Sequence, residues 1–234
     1  MRHLILNADD FGYDPSVSRG IVEAMRQGLV SSTTMIVNGP TSAAAASDSA
    51  GLAIGLHLNL VCFTALTTGT PLDKPGVRSL TADFVERETH AQLDRLEALL
   101  GRPATHLDSH HHAHREPAVL SGLIRAAVRR GLPVRSVDPA MRAALRAAGL
   151  RTNDAFAGDA EDAAFWTPEE WHRQLEALPA DGLIELMCHP GYAPSTVTSR
   201  YAAQREVELR TFTSPDARAA LEARRLVLES WRIA

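Results

Sequence analysis

Short apolar runs and amphipathic stretches alternate along the whole chain of 234 residues. Apolar or β-branched runs predict strands at residues 4–8, 33–37, 53–60, 104–108, 133–137 and 183–188, with weaker candidates at 153–157 and 226–233. Helical spacing of apolar residues predicts helices at 15–28, 41–50, 82–100, 117–130, 140–148, 168–178, 199–210 and 214–224. Because strands that alternate with helices pair in parallel, the pattern predicts an α/β fold with a parallel sheet.

The number of alternations favours a closed barrel over an open doubly wound sheet. The chain has no linker, charge block or internal repeat. We therefore predict one domain over residues 1–234 that forms an irregular TIM-like (β/α) barrel with seven to eight parallel strands. A loop of about 20 residues at 61–81, rich in Thr, Gly and Pro, is long enough to have a functional role.

Composition and charge exclude several classes of protein. The formal net charge is −4 and no Lys/Arg run occurs, which argues against nucleic acid as a partner. No apolar run approaches the length of a membrane span. Since the N-terminus lacks a signal-peptide pattern and Cys62 and Cys188 form no disulfide framework, we expect a cytoplasmic protein with reduced thiols. The oligomeric state is left open, a homodimer included.

Polar residues cluster where the predicted strands end. They are Asp9, Asp10, His57, Asn59, His110 and His189. The carboxyl ends of parallel strands meet at one mouth of a barrel, where active sites of such folds lie. An Asp with two His is a ligand set that leaves coordination positions open for water and substrate, as catalytic metal sites do. The pattern therefore predicts a single metal site at this mouth.

Residues 105–114 hold five of the ten histidines. Strand alternation would place His106, Asp108, His110 and His112 on one side. Only a residue at the end of the strand reaches the mouth, so we expect His110 to be the ligand. Asp108, His112 and His114 are then expected to support the site or to face the substrate. His57 lies in a Leu-His-Leu-Asn-Leu alternation beside Asn59, which makes it a candidate ligand from another strand.

Asp9 and Asp10 are adjacent and would face opposite sides of a regular strand. Both enter one site only if the strand breaks there, which Phe11-Gly12 permits. One carboxylate would then bind the ion while the other accepts a proton from water.

His189 follows the predicted strand at 183–188 and points at the same mouth. It is a candidate general acid or oxyanion donor. Glu185 faces the same way and is expected to orient it, while Asn7 and Arg115 are candidate residues of the site wall. Cys188 would point away from His189, which argues against a Cys–His nucleophile.

Four motifs, at residues 7–12, 55–60, 105–114 and 185–192, resemble in the right order those of the YdjC-like carbohydrate deacetylases, a group that includes chitooligosaccharide and hopanoid-biosynthesis deacetylases. The resemblance covers nearly the whole chain. It implies a TIM-like barrel and metal-dependent removal of N-acetyl groups from amino sugars, with a small carbohydrate or glycolipid as substrate. It also implies Asp9 as general base, His189 as a catalytic histidine, and one Mg or Zn ion bound by Asp10, His57 and His110.

Two other hypotheses stay open. One is another metal-dependent barrel hydrolase, an esterase or a phosphoesterase. The other is a non-catalytic metal-binding protein, which would hold several ions in the histidine tract where the enzyme should hold one. The 61–81 loop and the region of the 150s and 160s look short or idiosyncratic beside those of chitooligosaccharide enzymes, so the resemblance names no particular sugar.

Overall fold

A computed structural model describes residues 2–158, 160 and 163–231 of the chain. Within them seven strands follow in order: β1 (Arg2–Phe11), β2 (Ser32–Met35), β3 (Ile54–Leu58), β4 (Leu107–Ser109), β5 (Ala155–Ala157), β6 (Gly182–Cys188) and β7 (Val227–Glu229). The α-helices are α1 (Pro15–Gln27), α2 (Ser42–Ser47), α3 (Ala82–Leu100), α4 (Pro117–Arg130), α5 (Pro139–Ala147), α6 (Pro168–Ala177), α7 (Ala203–Thr213) and α8 (Pro215–Ala223). Two 3₁₀ turns lie at Pro75–Ser79 and His110–Arg115.

All seven strands form one parallel sheet with β1 at its centre. The order along the hydrogen-bonded path is β4-β3-β2-β1-β6-β5, and β7 pairs with the first residues of β1. The sheet is curled into a half-barrel, against which the helices pack around one continuous hydrophobic core. Because every strand runs the same way, the carboxyl ends of β1, β3, β4 and β6 lie at one edge.

This architecture confirms the α/β class, the parallel pairing and the lower of the two predicted strand counts. The prediction of a strand at 133–137 is wrong, because this segment makes only one isolated bridge to β4, between Val134 and Leu107, and no continuous strand pairing. Pro133 has no N–H to donate to such a ladder. The pairing of the described strands therefore shows a half-barrel, and closure into a complete TIM-like barrel stays a prediction.

Helix ends follow the capping residues that the sequence provides. Asp14 accepts the N–H groups of Ser16 and Val17 at the start of α1, and Thr81 accepts the N–H of Phe84 at the start of α3. Gly101 ends α3 with a φ of 66°, a left-handed conformation that glycine adopts at least cost. The predicted bounds of α3 and α4 match the observed ones to the residue.

Most other segments differ from their predicted bounds; β1 runs from Arg2 to Phe11 where residues 4–8 were predicted, and α7 from Ala203 to Thr213 where 199–210 were predicted. β4 begins three residues later than expected and ends at Ser109, where the chain turns into the 3₁₀ turn. The 61–81 loop is ordered by a bridge between Thr64 and Pro71 and by the turn at Pro75–Ser79. The last strand is confined to Val227–Glu229, and residues 232–233 of the prediction lie outside the described residues. None of the helices in the described ranges has the length and apolar character of a membrane span.

Candidate active site

β1 is interrupted at the two aspartates. Its register against β2 shifts between Ala8 and Phe11, and Asp10 has a φ of 73°. A positive φ costs a residue with a side chain about 1–3 kcal/mol, so it is expected where a site over-determines the backbone. The break brings Asp9 and Asp10 into the lining of the same pocket. The predicted break in the strand is therefore confirmed.

Three buried ligand atoms form a compact triangle at the carboxyl edge of the sheet. Oδ1 of Asp10 lies 3.0 Å from Nδ1 of His110 and 3.4 Å from Nε2 of His57, and the two ring nitrogens are 3.3 Å apart. Ligands on a tetrahedral zinc lie roughly 3.3 Å apart, and neighbouring ligands on an octahedral magnesium roughly 2.9 Å apart. This buried oxygen accepts no hydrogen bond with good geometry among the described residues, although both histidine rings lie within ion-pair distance of it. The three residues thus fit a divalent cation.

Asp108 fixes the orientation of His57. Its Oδ1 lies 2.6 Å from Nδ1 of His57, and its Oδ2 accepts a hydrogen bond from Thr34 at 2.9 Å. A carboxylate behind a ligand histidine is the usual support of such a ligand, since it leaves Nε2 free for the ion. Burial lowers the pKa of His57, but the negative charges of Asp108 and Asp9 outweigh it and raise the pKa to about 10.

Asp9 is held by a buried arginine. Arg135 donates from Nη1 to Oδ2 and from Nη2 to Oδ1 of Asp9, both at 2.7 Å, and Asn7 donates to Oδ1 at 2.8 Å. Burial raises the pKa of Asp9, but the charge and hydrogen bonds of Arg135 outweigh burial and leave the pKa well below its ordinary value. Asp9 is therefore ionised throughout the neutral range.

Arg135 was not among the predicted site residues. Its Nε donates to Oε1 of Glu185 at 2.7 Å, and its Nη1 lies 2.9 Å from Oδ2 of Asp108. Glu185 therefore contacts Arg135, whereas the sequence suggested that it orients His189. Burial raises the pKa of the Glu185 carboxyl to about 7. The sequence held one indication that Arg135 belongs to the site: it is a charged residue in the middle of the apolar run 133–137, and a buried guanidinium requires acidic partners.

Helix α7 contributes two further residues that the sequence did not single out. Arg205 donates from Nη2 to Oδ2 of Asp10 at 2.5 Å and from Nε to the carbonyl of Tyr201 at 3.0 Å. Glu208 accepts the backbone N–H of His189 at 2.5 Å and the hydroxyl of Tyr201. One helix thereby holds both a predicted metal ligand and the backbone of the predicted catalytic histidine.

His189 lies in the pocket wall with its ring against Tyr201, the two ring centres being 5.5 Å apart. Its Nδ1 is buried and has no hydrogen-bond partner among the described residues. Burial lowers the pKa of His189 to about 4. The ring is therefore neutral at pH 7.

The rest of the histidine tract divides between the pocket and the interior. His111 and His112, with φ of 53° and 50°, line the pocket, and Nδ1 of His112 is buried without a partner in the described structure. His114 is fully buried and bonds Ser109. Arg115 is exposed and is not among the residues that line this pocket. The expected strand alternation through residue 112 is wrong, because β4 ends at Ser109.

His106, which was not predicted as a site residue, and the predicted Asn59 support the site from a distance. His106 lies 3.1 Å from the side-chain oxygen of Asn7, which in turn contacts Asp9, and its ring stacks on Trp231. Asn59 shapes the start of the 61–81 loop. It accepts the N–H groups of residues 61 and 62 and donates to the carbonyl of Cys62 at 2.8 Å.

Cys62 and Cys188 are both free thiols.

The pocket over these groups has a volume of about 540 Å³. This is the size of sites that enclose a small organic ligand. Four buried atoms of its lining residues have no hydrogen-bond partner in the described chain: Oδ1 of Asp10, Nδ1 of His112, Nδ1 of His189 and Nη1 of Arg205. Unpartnered buried polar atoms are rare in folded proteins, so their concentration here indicates a place for an ion and a polar ligand.

Comparison with known proteins gives consistent matches over the full chain. The family model described as YdjC-like protein matches residues 3–223. A chitooligosaccharide deacetylase of Serratia marcescens is 34% identical over 98% of each chain. A carbohydrate deacetylase of Geobacillus stearothermophilus is 34% identical over 99% of this chain and 97% of its own. A crystal structure from Enterococcus faecalis V583, provisionally described as a cellobiose-phosphate cleavage protein, superposes with a TM-score of 0.88 at 27% identity, covering 99% of this chain and 98% of that one.

Proposed function

Because the chain belongs to the YdjC-like family, we propose that it is a hydrolase that removes N-acetyl groups from amino sugars, using one divalent cation. The substrate is a small N-acetylated carbohydrate, either of the chitooligosaccharide kind or linked to a lipid. The observation that carries the proposal is the triangle of Asp10, His57 and His110 beside a separate, ionised Asp9 in one pocket. The names of the two curated relatives support the reaction class.

The three ligand residues would hold Mg or Zn, and such a cation supplies Lewis acidity to the acyl carbonyl and to water. A second acidic group, Asp9 with His57 and Asp108, also has the composition of a metal site. Arg135 already binds both carboxylates of this second group, so a guanidinium takes the place that an ion would need. This arrangement supports one ion for each chain.

Asp9 is proposed as the general base. In the hydrolysis, the oxygen of water bonds to the acyl carbon, the amide C–N bond breaks, and acetate and a free amine are the products. Asp9 takes the proton that water loses, and His189 protonates the departing nitrogen. Since burial leaves His189 neutral at pH 7, Asp9 has to pass the proton that it took from water to His189 before His189 gives a proton to the nitrogen.

Replacing Asp9 by Asn tests the assignment. Acetate release from N-acetylated chitooligosaccharides should fall by about 10²–10⁴, the contribution of a positioned base, while the metal content measured by elemental analysis stays at one ion for each chain. Asp83→Asn is the matched control, because Asp83 is an exposed residue of α3. Undiminished turnover in Asp9→Asn would remove Asp9 as the base.

The same measurements separate the other hypotheses. Several ions for each chain, with sensitivity to loss of His111, His112 or His114, would support the metal-binding protein. Release of acetate from O-acetylated sugars but not from N-acetylated ones would support an esterase. A panel of N-acetylated mono-, di- and oligosaccharides and a glycolipid, assayed for acetate, would identify the substrate.

A further inference from the structure

The two buried arginines of the site differ in how many of their N–H groups have acceptors. All three nitrogens of Arg135 lie within 2.9 Å of a carboxylate of Asp9, Asp108 or Glu185. Arg205 is 3% exposed, and its Nε and Nη2 bond Tyr201 and Asp10, but its Nη1 has no acceptor among the described residues. An arginine presents five donors in a rigid plane, so two fixed nitrogens also fix the third.

The unpartnered nitrogen belongs to a residue of the pocket lining. Arg205 and Asp10 both line the pocket, and their contact places the guanidinium against the carboxylate whose other oxygen belongs to the ligand triangle. Arg135 is not among the lining residues of this pocket. A buried cationic N–H without an acceptor is costly to the fold, and an oxygen atom with negative charge is its strongest partner.

We propose that Nη1 of Arg205 binds the acyl oxygen of the substrate. This inference rests on the proposed deacetylation. The contact is stronger where the oxygen carries more negative charge, first in the attacked carbonyl and then in the carboxylate product, so it favours the transition state over the bound substrate. Arg205 is then a substrate-binding residue in addition to a support for Asp10.

A support role alone makes a different prediction. If Arg205 acts only by holding Asp10, its loss weakens metal binding, and any loss of acetate binding follows the loss of the ion. If it binds the acyl oxygen, acetate binding falls while the ion stays. Arg205→Lys keeps the positive charge near Asp10 but replaces the planar fork by a single point of contact.

Acetate is the probe, measured by calorimetry on metal-loaded protein in the absence of turnover. Arg205→Lys should bind acetate at least tenfold more weakly than the parent chain, while metal affinity changes less than threefold and kcat falls more than KM rises. Arg210→Lys is the matched control, because Arg210 is an exposed arginine of the same helix that does not line the pocket, and it should bind acetate as the parent does. In the parent, acetate should shift the side-chain ¹⁵N resonances of Arg205, which requires no substitution.

Unchanged acetate affinity in Arg205→Lys, or resonances of Arg205 that ignore acetate, would overturn the inference. The inference would also be overturned if acetate affinity and metal affinity fell by the same factor in Arg205→Lys. Acetate binding that depends on Arg205 in a protein that releases no acetate from any acetylated sugar would refute the proposed function and leave the anion site in place. Acetate release from an acetylated sugar, with acetate binding that does not depend on Arg205, would leave the proposed function in place and refute the role of Arg205.

Discussion

Metal binding by this protein should release a proton from His57. In the metal-free chain the ring lies between Asp108 at Nδ1 and Asp10 at Nε2, and its pKa is raised to about 10. At pH 8 the ring therefore carries protons on both nitrogens. A cation can bind Nε2 only after that nitrogen has lost its proton. The raised pKa of His57 favours the proton over the metal ion at Nε2, so the apparent affinity of the protein for the ion should increase with pH.

The structure sets the size of this effect. Because pH 8 lies about two pH units below the raised pKa of His57, the proton should lower the apparent affinity for the ion about 100-fold. From pH 7 to pH 9 the association constant should increase about tenfold for each pH unit. Titration calorimetry at pH 8 in two buffers of different ionisation enthalpy measures the number of protons directly, and the expected value is close to one for each ion.

Asp108→Asn tests the cause of the raised pKa. The substitution keeps the shape of the side chain and removes the charge that raises the pKa of His57 most strongly. Proton release at pH 8 should fall below half a proton, and the pH slope should become shallower. A parent chain that binds the ion with no proton release and with flat affinity from pH 7 to pH 9 would refute this account of His57.

Two further substitutions test how the surroundings hold the site. Gly55→Ala should destabilise the fold by about 1–3 kcal/mol in urea unfolding, since the added Cβ would lie 2.4 Å from the ring of His106; a change under about 0.5 kcal/mol would contradict this. Glu88→Ala should make the 61–81 loop at least tenfold more sensitive to limited proteolysis, because the Glu88 carboxylate accepts both N–H groups of Leu66 and Thr67 at 2.9 Å. Glu86→Ala, on the same helix but paired with Arg125 and Arg129 of α4, is the control and should cleave as the parent does.

The sequence predicted the parts of the site that depend on local pattern. Apolar runs located β1, β3, β4 and β6, and the direction of parallel strands brought their ends together, so the residue pattern grouped Asp9 and Asp10 with His57 and His110. The choice of Asp10 over Asp9 as the ligand came from the family resemblance. The break in β1 could also be foreseen, because two adjacent aspartates can share a pocket only if the strand is interrupted. These inferences need only the side-chain period of a strand and the rule for parallel crossovers.

The residues that the sequence missed have partners far along the chain. Arg135 meets Asp9 across 126 positions, and Arg205 meets Asp10 across 195. Charged residues on helices such as α7 are usually solvated, so neither periodicity nor composition separates Arg205 from its exposed neighbours. The turn after Ser109 was missed for another reason: histidine is enriched in left-handed conformations, but this enrichment is too weak to locate such a conformation at His111 and His112.

The charges of the buried site explain why proton and metal should compete. Three aspartates and two arginines of the site are buried: Asp9, Asp10, Asp108, Arg135 and Arg205. They leave one negative charge, and Glu185 and Glu208, each with its pKa raised to about 7, add most of two more at pH 8. An apolar interior does not tolerate an unbalanced charge, so the metal-free protein needs a cation here. The proton on His57 provides one charge and a divalent ion provides two. The ion therefore has to displace the proton from the same atom that it binds, and at pH 8 it leaves the site closer to neutral than the proton does.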